Sequence, residues 1–278
     1  MNGDGRKDYL TSRSNGEAGD GELLWLEHPE NGIDEDKPWK LHHVASGPST
    51  WTRTSVLENY PNEIIVWAAE YWNERIALYR VSTVDGSFID SRIIDDDHFG
   101  NPYSIQFVDL NGDGKKQVLA HNWENVADKT RIYAYTVPDD IMTGDFERFT
   151  IAKDFARVFS FTNNNKSPSF PYPVYPDGYE PNKRAHILVA GSGDYKAHLL
   201  IPTGDDPSKF EYEKKTIVDA NGIVGALATA DVDGNGWLEM YLANYNKGYV
   251  EAFSLSKAKT GIDTIDFTTD NDTGDFLQ

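Results

Sequence analysis

The sequence predicts an all-β chain, a β-propeller of four-stranded antiparallel blades with five blades in view. Three observations carry that expectation. A glycine-bearing loop rich in oxygen side chains recurs along the chain. The recurrences, with two degenerate copies, fall about 55 residues apart with one longer gap. Each unit then repeats the same succession of apolar and alternating runs, with no helical periodicity to compete.

The loop reads Asp109-Leu-Asn111-Gly-Asp113-Gly-Lys115-Lys-Gln117 and again Asp231-Val-Asp233-Gly-Asn235-Gly-Trp237-Leu-Glu239. A shortened copy, Met1-Asn2-Gly-Asp4-Gly-Arg-Lys-Asp8, opens the chain. Oxygen donors at positions 1, 3, 5 and 9 suit a hard cation, because calcium takes six to eight oxygens at about 2.3–2.6 Å. The expected ligands are Asp231, Asp233, Asn235 and Glu239 with the Trp237 carbonyl. A second set is Asp109, Asn111, Asp113 and Gln117 with the Lys115 carbonyl. The opening copy offers Asn2, Asp4 and Asp8. Two to three structural calcium sites are expected, the alternative for each being an Asx-turn that closes the loop without metal. Met1 stands at the second position of the pattern, so further residues are expected before it.

Taking the ninth loop position as an anchor gives Asp8, Glu63, Gln117, His186 and Glu239. Each anchor leads into an apolar run, such as Ile64-Ile-Val66 or Ile187-Leu-Val189. A second run follows, for example Leu23-Leu-Trp-Leu26 and Arg75-Ile-Ala-Leu-Tyr79. A third, alternating and more polar, suits a half-exposed outer strand: Trp39–Val44, Phe88–Ile94, Phe146–Ile151, Phe210–Val218 and Ile262–Phe267. Inner strands are expected at Ser55–Leu57, Tyr103–Val108, Arg157–Phe161 and Val224–Ala230, and the first blade has none. The blades so defined are 1–48, 49–98, 99–154, 155–220 and 221–278. The segment from Thr162 to Pro181 is read as an insertion, a proline-rich surface loop.

Composition excludes several classes of function. No cysteine is present among 278 residues, so there is no disulfide framework and no thiol chemistry. The formal charge is −19, without the basic footprint that nucleic acid requires. No apolar run is long enough to span a membrane as a helix.

The loop-plus-strand units resemble the FG-GAP or VCBS repeats of integrin α-subunit propellers and related secreted lectins and enzymes. The two complete loops carry the resemblance, which extends over nearly the whole chain. It implies a secreted, calcium-bound propeller whose ring usually has seven blades, so the five in view are expected to be part of such a ring or, alternatively, a smaller ring; two sequons, Asn165-Lys-Ser167 and Asn271-Asp-Thr273, would then be open to glycosylation.

If the metal loops join first to second strands, the second-to-third loops share the opposite face with the inter-blade connections. Loops on a rigid scaffold carry function. That face holds Trp72, His98, Asn101, His121, Trp123, Tyr195 and Tyr245, a mixture of flat apolar surfaces and forked polar groups that suits sugars. The expected function is a binding module for carbohydrate or an extracellular protein partner. The alternative is a propeller enzyme acting on sugars, a dehydratase or lyase, in which His98 or His121 works with Asp194, Glu70 or Glu124.

Overall fold

The computed structural model of the protein describes all residues except 33–37, 98–99, 125–128, 157–166, 177, 179, 258–264 and 270–278. Among the described residues there are five antiparallel sheets, each a meander of consecutive strands, the blades of a β-propeller fold. The chain divides into two compact units. The first comprises Met1–Val108, Lys116–Glu124 and Lys129–Lys153; the second comprises the loop Asp109–Lys115 and the chain from Asp154 onward.

In the first unit, blade 1 has three strands: β1 (Tyr9–Arg13), β2 (Glu22–Glu27) and β3 (Lys40–Ser46). Blade 2 is β4 (Thr52–Ser55), β5 (Glu63–Glu70), β6 (Arg75–Ser82) and β7 (Phe88–Asp95). Blade 3 is β8 (Pro102–Val108), β9 (Gln117–Asn122), β10 (Arg131–Tyr135) and β11 (Arg148–Lys153). In the second unit, blade 4 is β12 (Pro171–Val174), β13 (His186–Ala190), β14 (Lys196–Pro202) and β15 (Tyr212–Asp219). Blade 5 is β16 (Val224–Ala230), β17 (Glu239–Asn244), β18 (Tyr249–Lys257) and β19 (Ile265–Thr269).

The anchors Glu63, Gln117, His186 and Glu239 are the first residues of β5, β9, β13 and β17. The reason β5 reads as an unbroken apolar run is that both of its faces are covered. Ile65, Trp67 and Ala69 belong to one core, with Ile105, Val118 and Ala120 of blade 3. Val66 and Ala68 belong to another, with Leu23 and Trp25 of blade 1. Side chains alternate along a strand, so adjacent residues enter different cores. The indole of Trp67 stacks on Phe107 with centroids 4.7 Å apart and donates its N–H to Ser55 at 2.9 Å. In the second unit Leu188, Ala190 and Leu199 of blade 4 pack with Val224, Leu227, Met240 and Leu242 of blade 5.

The structure corrects two expectations. The inner strand of blade 2 is β4, ahead of the expected Ser55–Leu57, and Val56 beyond it is exposed. The segment Thr162–Pro181, read as a surface loop, contains β12, which pairs antiparallel with β13 from Pro171↔Val189 to Val174↔His186. The expected inner strand at Arg157–Phe161 lies outside the described residues.

Polar side chains are buried within the blades in matched sets. In blade 2 the Glu70 carboxylate accepts from the Tyr79 hydroxyl, from Arg75 Nε at 2.7 Å and from Asn73 at 2.8 Å. Between blades 2 and 3, Asp95 accepts from the Tyr135 hydroxyl at 2.6 Å and from Arg148 at 2.8 Å. In blade 4, His198 Nε2 meets Asp194 at 2.8 Å. The third strand of each of these blades thus presents a polar ring (Tyr79, Tyr135 or His198) to a buried carboxylate, which keeps both groups satisfied inside the sheet stack.

Candidate functional site

Two kinds of candidate site emerge, oxygen-rich loops ahead of second strands and an aromatic rim at the second-to-third hairpins. In blade 5 the residues between β16 and β17 turn tightly at Gly234 and Gly236, both at positive φ. Asn235 N–H donates to Asp233 at 3.0 Å, Gly236 N–H to Asp231 at 3.0 Å and Trp237 N–H to Asn235 at 2.8 Å. Glu239 reaches back to accept the Val232 N–H at 2.8 Å. These bonds draw Asp231, Asp233 and Glu239 together, each offering a carboxylate oxygen within 4.8 Å of the others. Two oxygens bound to one calcium lie no further apart than about twice a 2.4 Å bond. The donor set therefore fits the ion expected from the sequence.

The loop Asp109–Lys115 differs in that its first half, Asp109 to Gly112, is buried. Asp109 accepts N–H bonds from Asn111, Gly112 and Gly114, the Asx geometry of a closed turn. Its backbone is held from outside by Asn182 N–H on the Gly112 carbonyl and by the Tyr175 hydroxyl on the Asp109 carbonyl. A side chain on Gly112 would run into the Lys183 backbone. Asn111 is 7% exposed, and its Oδ1 is buried without a hydrogen-bond partner among the described residues. A buried carbonyl oxygen with no donor is what a cation ligand looks like before the ion is counted. Gln117, at the head of β9, is buried. In the opening copy, Asn2 donates to Glu27, Asp4 pairs with Arg6, and Asp8 accepts from the Met1 ammonium and from the His28 N–H at 2.9 Å.

The rim lies in the first unit. After β5 the chain makes one tight turn, Tyr71–Asn73, closed by Glu74 in the left-handed region at φ 54°. The turn projects Tyr71 and Trp72 beside Tyr103, the second residue of β8, and Trp123, which follows β9. Tyr71 is the hub. Its ring centroid is 4.8 Å from Trp72, 6.3 Å from Tyr103 and 5.8 Å from Trp123, all edge-to-face, and Tyr103 and Trp123 are 5.2 Å apart. Asn101 ties the cluster to blade 2, donating to the Tyr71 carbonyl at 2.9 Å and to Glu74 at 3.4 Å. Its own carbonyl accepts the Trp123 N–H at 2.7 Å. Glu124 lies against Gly100, where a Cβ would come within 2.2 Å of its Oε1. Two carboxylates therefore flank the Gly100–Asn101 turn. Burial raises the Tyr71 phenol pKa first, and the charges of Glu124 and Glu74 add to it.

Of the residues expected on this face, Trp72, Asn101 and Trp123 come together as anticipated. Tyr71 and Tyr103 complete the cluster and were missed; the adjacency of Tyr71 to Trp72 was the available signal. Tyr195 and Tyr245 belong to the second unit. Tyr195 follows the buried Ser192–Asp194 turn at φ 63°, and Tyr245 is 78% exposed. His98 lies outside the described residues.

His121 requires correction. It is fully buried, its Nε2 accepts the Ser104 N–H at 3.2 Å, and burial pushes its pKa down to about 3. It neither touches a surface ligand nor exchanges protons near neutrality. Asp194 and Glu70, suggested as its partners, are equally withdrawn into the pairs described above.

No known protein-family signature matches the chain, and no curated protein sequence does. Solved structures with a similar chain path do exist. A luciferin-regenerating enzyme aligns at 9% identity over 94% of this chain and 77% of its own, with a TM-score of 0.48. A GH43_1 enzyme from Xanthomonas citri aligns at 9% identity over 97% and 88%, with a TM-score of 0.42. The RS223 β-xylosidase aligns at 9% identity over 94% and 95%, with a TM-score of 0.43. At this identity they assign no activity to this chain. Among the described residues, Glu74 and Glu124 remain as the solvent-reachable carboxylates of the rim.

Proposed function

We propose that the protein is a calcium-stabilised β-propeller of the FG-GAP or VCBS kind that recognises carbohydrate at the Tyr71–Trp123 rim. The observation that carries this reading is the four-ring cluster of Tyr71, Trp72, Tyr103 and Trp123 with Asn101, Glu74 and Glu124 at its edge. Sugar rings stack their C–H faces on aromatic planes and direct hydroxyls to carboxylates and amides. Trp72 is 42% exposed and accessible for such stacking. Asp231, Asp233, Asn235 and Glu239 with the Trp237 carbonyl would hold one ion, and the Asp109 loop a second. Calcium there would supply a structural clamp on the loop between two strands.

The test is oligosaccharide binding to the folded protein, followed by tryptophan fluorescence and calorimetry. Saturable binding abolished by Trp72→Ala supports the reading. A protein that binds no glycan over a broad panel, with and without calcium, refutes it.

A second reading, an enzyme acting on sugars, is favoured by one observation. Glu74 and Glu124 approach the same turn from two sides, and paired carboxylates are the usual machinery of glycosidic cleavage. Under it, Glu124→Gln abolishes product formation while leaving sugar affinity within about threefold of wild type. Absence of product from every oligosaccharide that binds eliminates this reading and leaves the lectin.

A further inference from the structure

The outer strand of blade 2, β7, has one neighbour, β6, and its other edge is open. Apolar side chains stand exposed at both ends of it, Phe88 at 44% and Ile89 and Ile93 at 41% each. Between them lie Asp90, Ser91 and Arg92. The Ser91 N–H donates to the carboxylate of Asp90 at 2.8 Å. That bond stands in place of a ladder bond to β6, so the N–H of Ser91 faces the open edge. Arg92 is fixed by blade 3. Its Nη1 donates to the Ile141 and Gly144 carbonyls at 2.9 and 2.7 Å, and its guanidinium lies 5.2 Å from the centre of the Phe146 ring. Among the described residues, Nε and Nη2 are left for another acceptor. The ladder to β6 runs unbroken from Asp90 to Ile93, with a bulge beyond each end.

An open edge pairs with other chains unless its charges forbid it. The charges of β7 admit a strand of its own sequence running the other way. Setting Ser91 against Ser91 places Asp90 opposite Arg92, and the doublet Phe88-Ile89 opposite Ile93-Ile94. Opposite charges and apolar pairs across a ladder stabilise it, and like charges weaken it. The outer strands of blades 1, 3 and 4 lack this self-complementarity. β3 and β11 carry only basic charges besides histidine. β15 gathers its charges at Glu213 to Lys215 and its apolar residues at Ile217 and Val218, so a reversed copy sets charge against hydrocarbon. We propose that β7 joins two copies of this chain edge to edge, as an antiparallel β7–β7 pair with its two-fold axis at Ser91. The two Ser91 residues face outward and exchange N–H···O=C bonds across the axis. Asp90 leaves the Ser91 N–H and turns to the guanidinium of Arg92 in the second copy. A two-fold contact closes on itself, so association stops at the dimer. The interface is small and works against the mutual repulsion of two chains of net charge −19, so the dimer forms reversibly with concentration.

The chain has no cysteine, so Ser91→Cys introduces its only thiol. Residues in a hydrogen-bonded antiparallel pair have Cα atoms about 5.5 Å apart, a spacing that a disulfide spans. Mild oxidation of the full chain should therefore turn most of the Ser91→Cys protein into a covalent dimer. Glu213→Cys, at an exposed position of β15, should cross-link at least about tenfold less under the same conditions. Sedimentation equilibrium on the wild type, from about 1 to 300 µM, should show the mass rising from one chain toward two. Asp90→Lys sets a lysine against Arg92 of the second copy and should weaken association about tenfold or more, with circular dichroism matching wild type. Glu213→Lys makes the same change in net charge and should not weaken it. A wild type that stays monomeric throughout the range overturns the proposal. So does equal cross-linking of the two cysteine variants, or a loss from Glu213→Lys equal to that from Asp90→Lys. Should Asp90→Lys fail to fold, the cross-linking comparison decides, because Ser91→Cys replaces one small side chain with another at an exposed site.

Discussion

The backbone N–H of Ser104 donates to Nε2 of His121 at 3.2 Å, and the imidazole is fully buried. Accepting at Nε2 requires that atom to be unprotonated, so the neutral ring carries its proton on Nδ1, which has no hydrogen-bond partner among the described residues. Protonating the ring would break the Ser104 bond and place a charge in the core between β8 and β9. This is why a histidine that the sequence puts at a binding face acts as a structural acceptor.

The same bond makes stability depend on pH. Burial pushes the folded-state pKa of His121 from 6.5 down to about 3. The unfolded chain therefore binds the extra proton first as pH falls. The contribution is fully present above about pH 6.5 and is lost progressively as pH drops toward 3. Between pH 7 and pH 5 this one group should remove about 2 kcal/mol of stability. Urea melts of wild type and His121→Asn at both pH values isolate it, since the carboxylates titrate alike in both proteins. Equal pH dependence in the two would show that the imidazole is not held neutral.

Glu70 is the other group whose withdrawal from the surface has a measurable consequence. Its carboxylate is fully buried and gathers Arg75, Tyr79 and Asn73. Glu70→Ala leaves a guanidinium and a phenol without their acceptor and should destabilise the first unit by about 3 kcal/mol. Tyr79→Phe removes one donor and leaves the ion pair, so about 1 kcal/mol is expected. The double variant should cost less than the sum, because both changes act on one network. Gly47 shows how closely the network is packed: a Cβ there would overlap the Tyr79 hydroxyl. Strict additivity in denaturant melts would show that Glu70 and Tyr79 do not share a network.

Most of the blade pattern was legible because it rests on side-chain period and turn chemistry. The anchors fell on the first residues of β5, β9, β13 and β17, where a loop with positive-φ glycines or an apolar onset fixes the start of a strand. β12 was not legible. Pro171 and Pro173 lack the N–H that a ladder uses, and proline in a run argues against a strand. β12 tolerates them because it lies at the sheet edge and pairs with β13 alone. The rim was half legible. Loop position pointed to Trp72, Asn101 and Trp123, but whether His121 ends a strand or opens a loop depends on packing of β9 that no local pattern encodes. Tyr103 was read as an inner-strand residue, which it is, and its ring still turns to the rim.

The cation loops should respond to metal unequally. The Asp231 loop is solvent-exposed and carries three converging carboxylates. The Asp109 loop is buried in its first half, where Asn111 Oδ1 has no hydrogen-bond partner among the described residues. Calorimetry of chelator-stripped protein should therefore resolve calcium sites with different affinities. Asp233→Asn should weaken one, and Asn111→Ala the other. Calcium at about a hundred times its Kd should raise stability by about 2.7 kcal/mol per site. A melt unchanged by chelator and by calcium would mean that these loops close by Asx-turn bonding alone.

The tryptophans offer the sharpest separation of fold from function. Trp67 is fully buried, stacked on Phe107 and hydrogen-bonded to Ser55. Trp67→Ala should cost about 3–5 kcal/mol, because the cavity forms between two blades that cannot close on it. Trp72 sits 42% exposed at the end of its turn, with Tyr71 against its edge. Trp72→Ala should cost less than about 1 kcal/mol, since surface truncation leaves no cavity. If the rim binds sugar, the same change removes a stacking face and should weaken affinity at least about tenfold, the effect of losing about 1.4 kcal/mol. Trp123→Ala should weaken binding as well and destabilise by more than Trp72→Ala, because its ring packs on both Tyr71 and Tyr103. Denaturant melts and sugar titrations on the three variants place each residue on one axis or the other. A Trp72→Ala protein that binds sugar as wild type does would reduce the ring cluster to a wedge between blades 2 and 3.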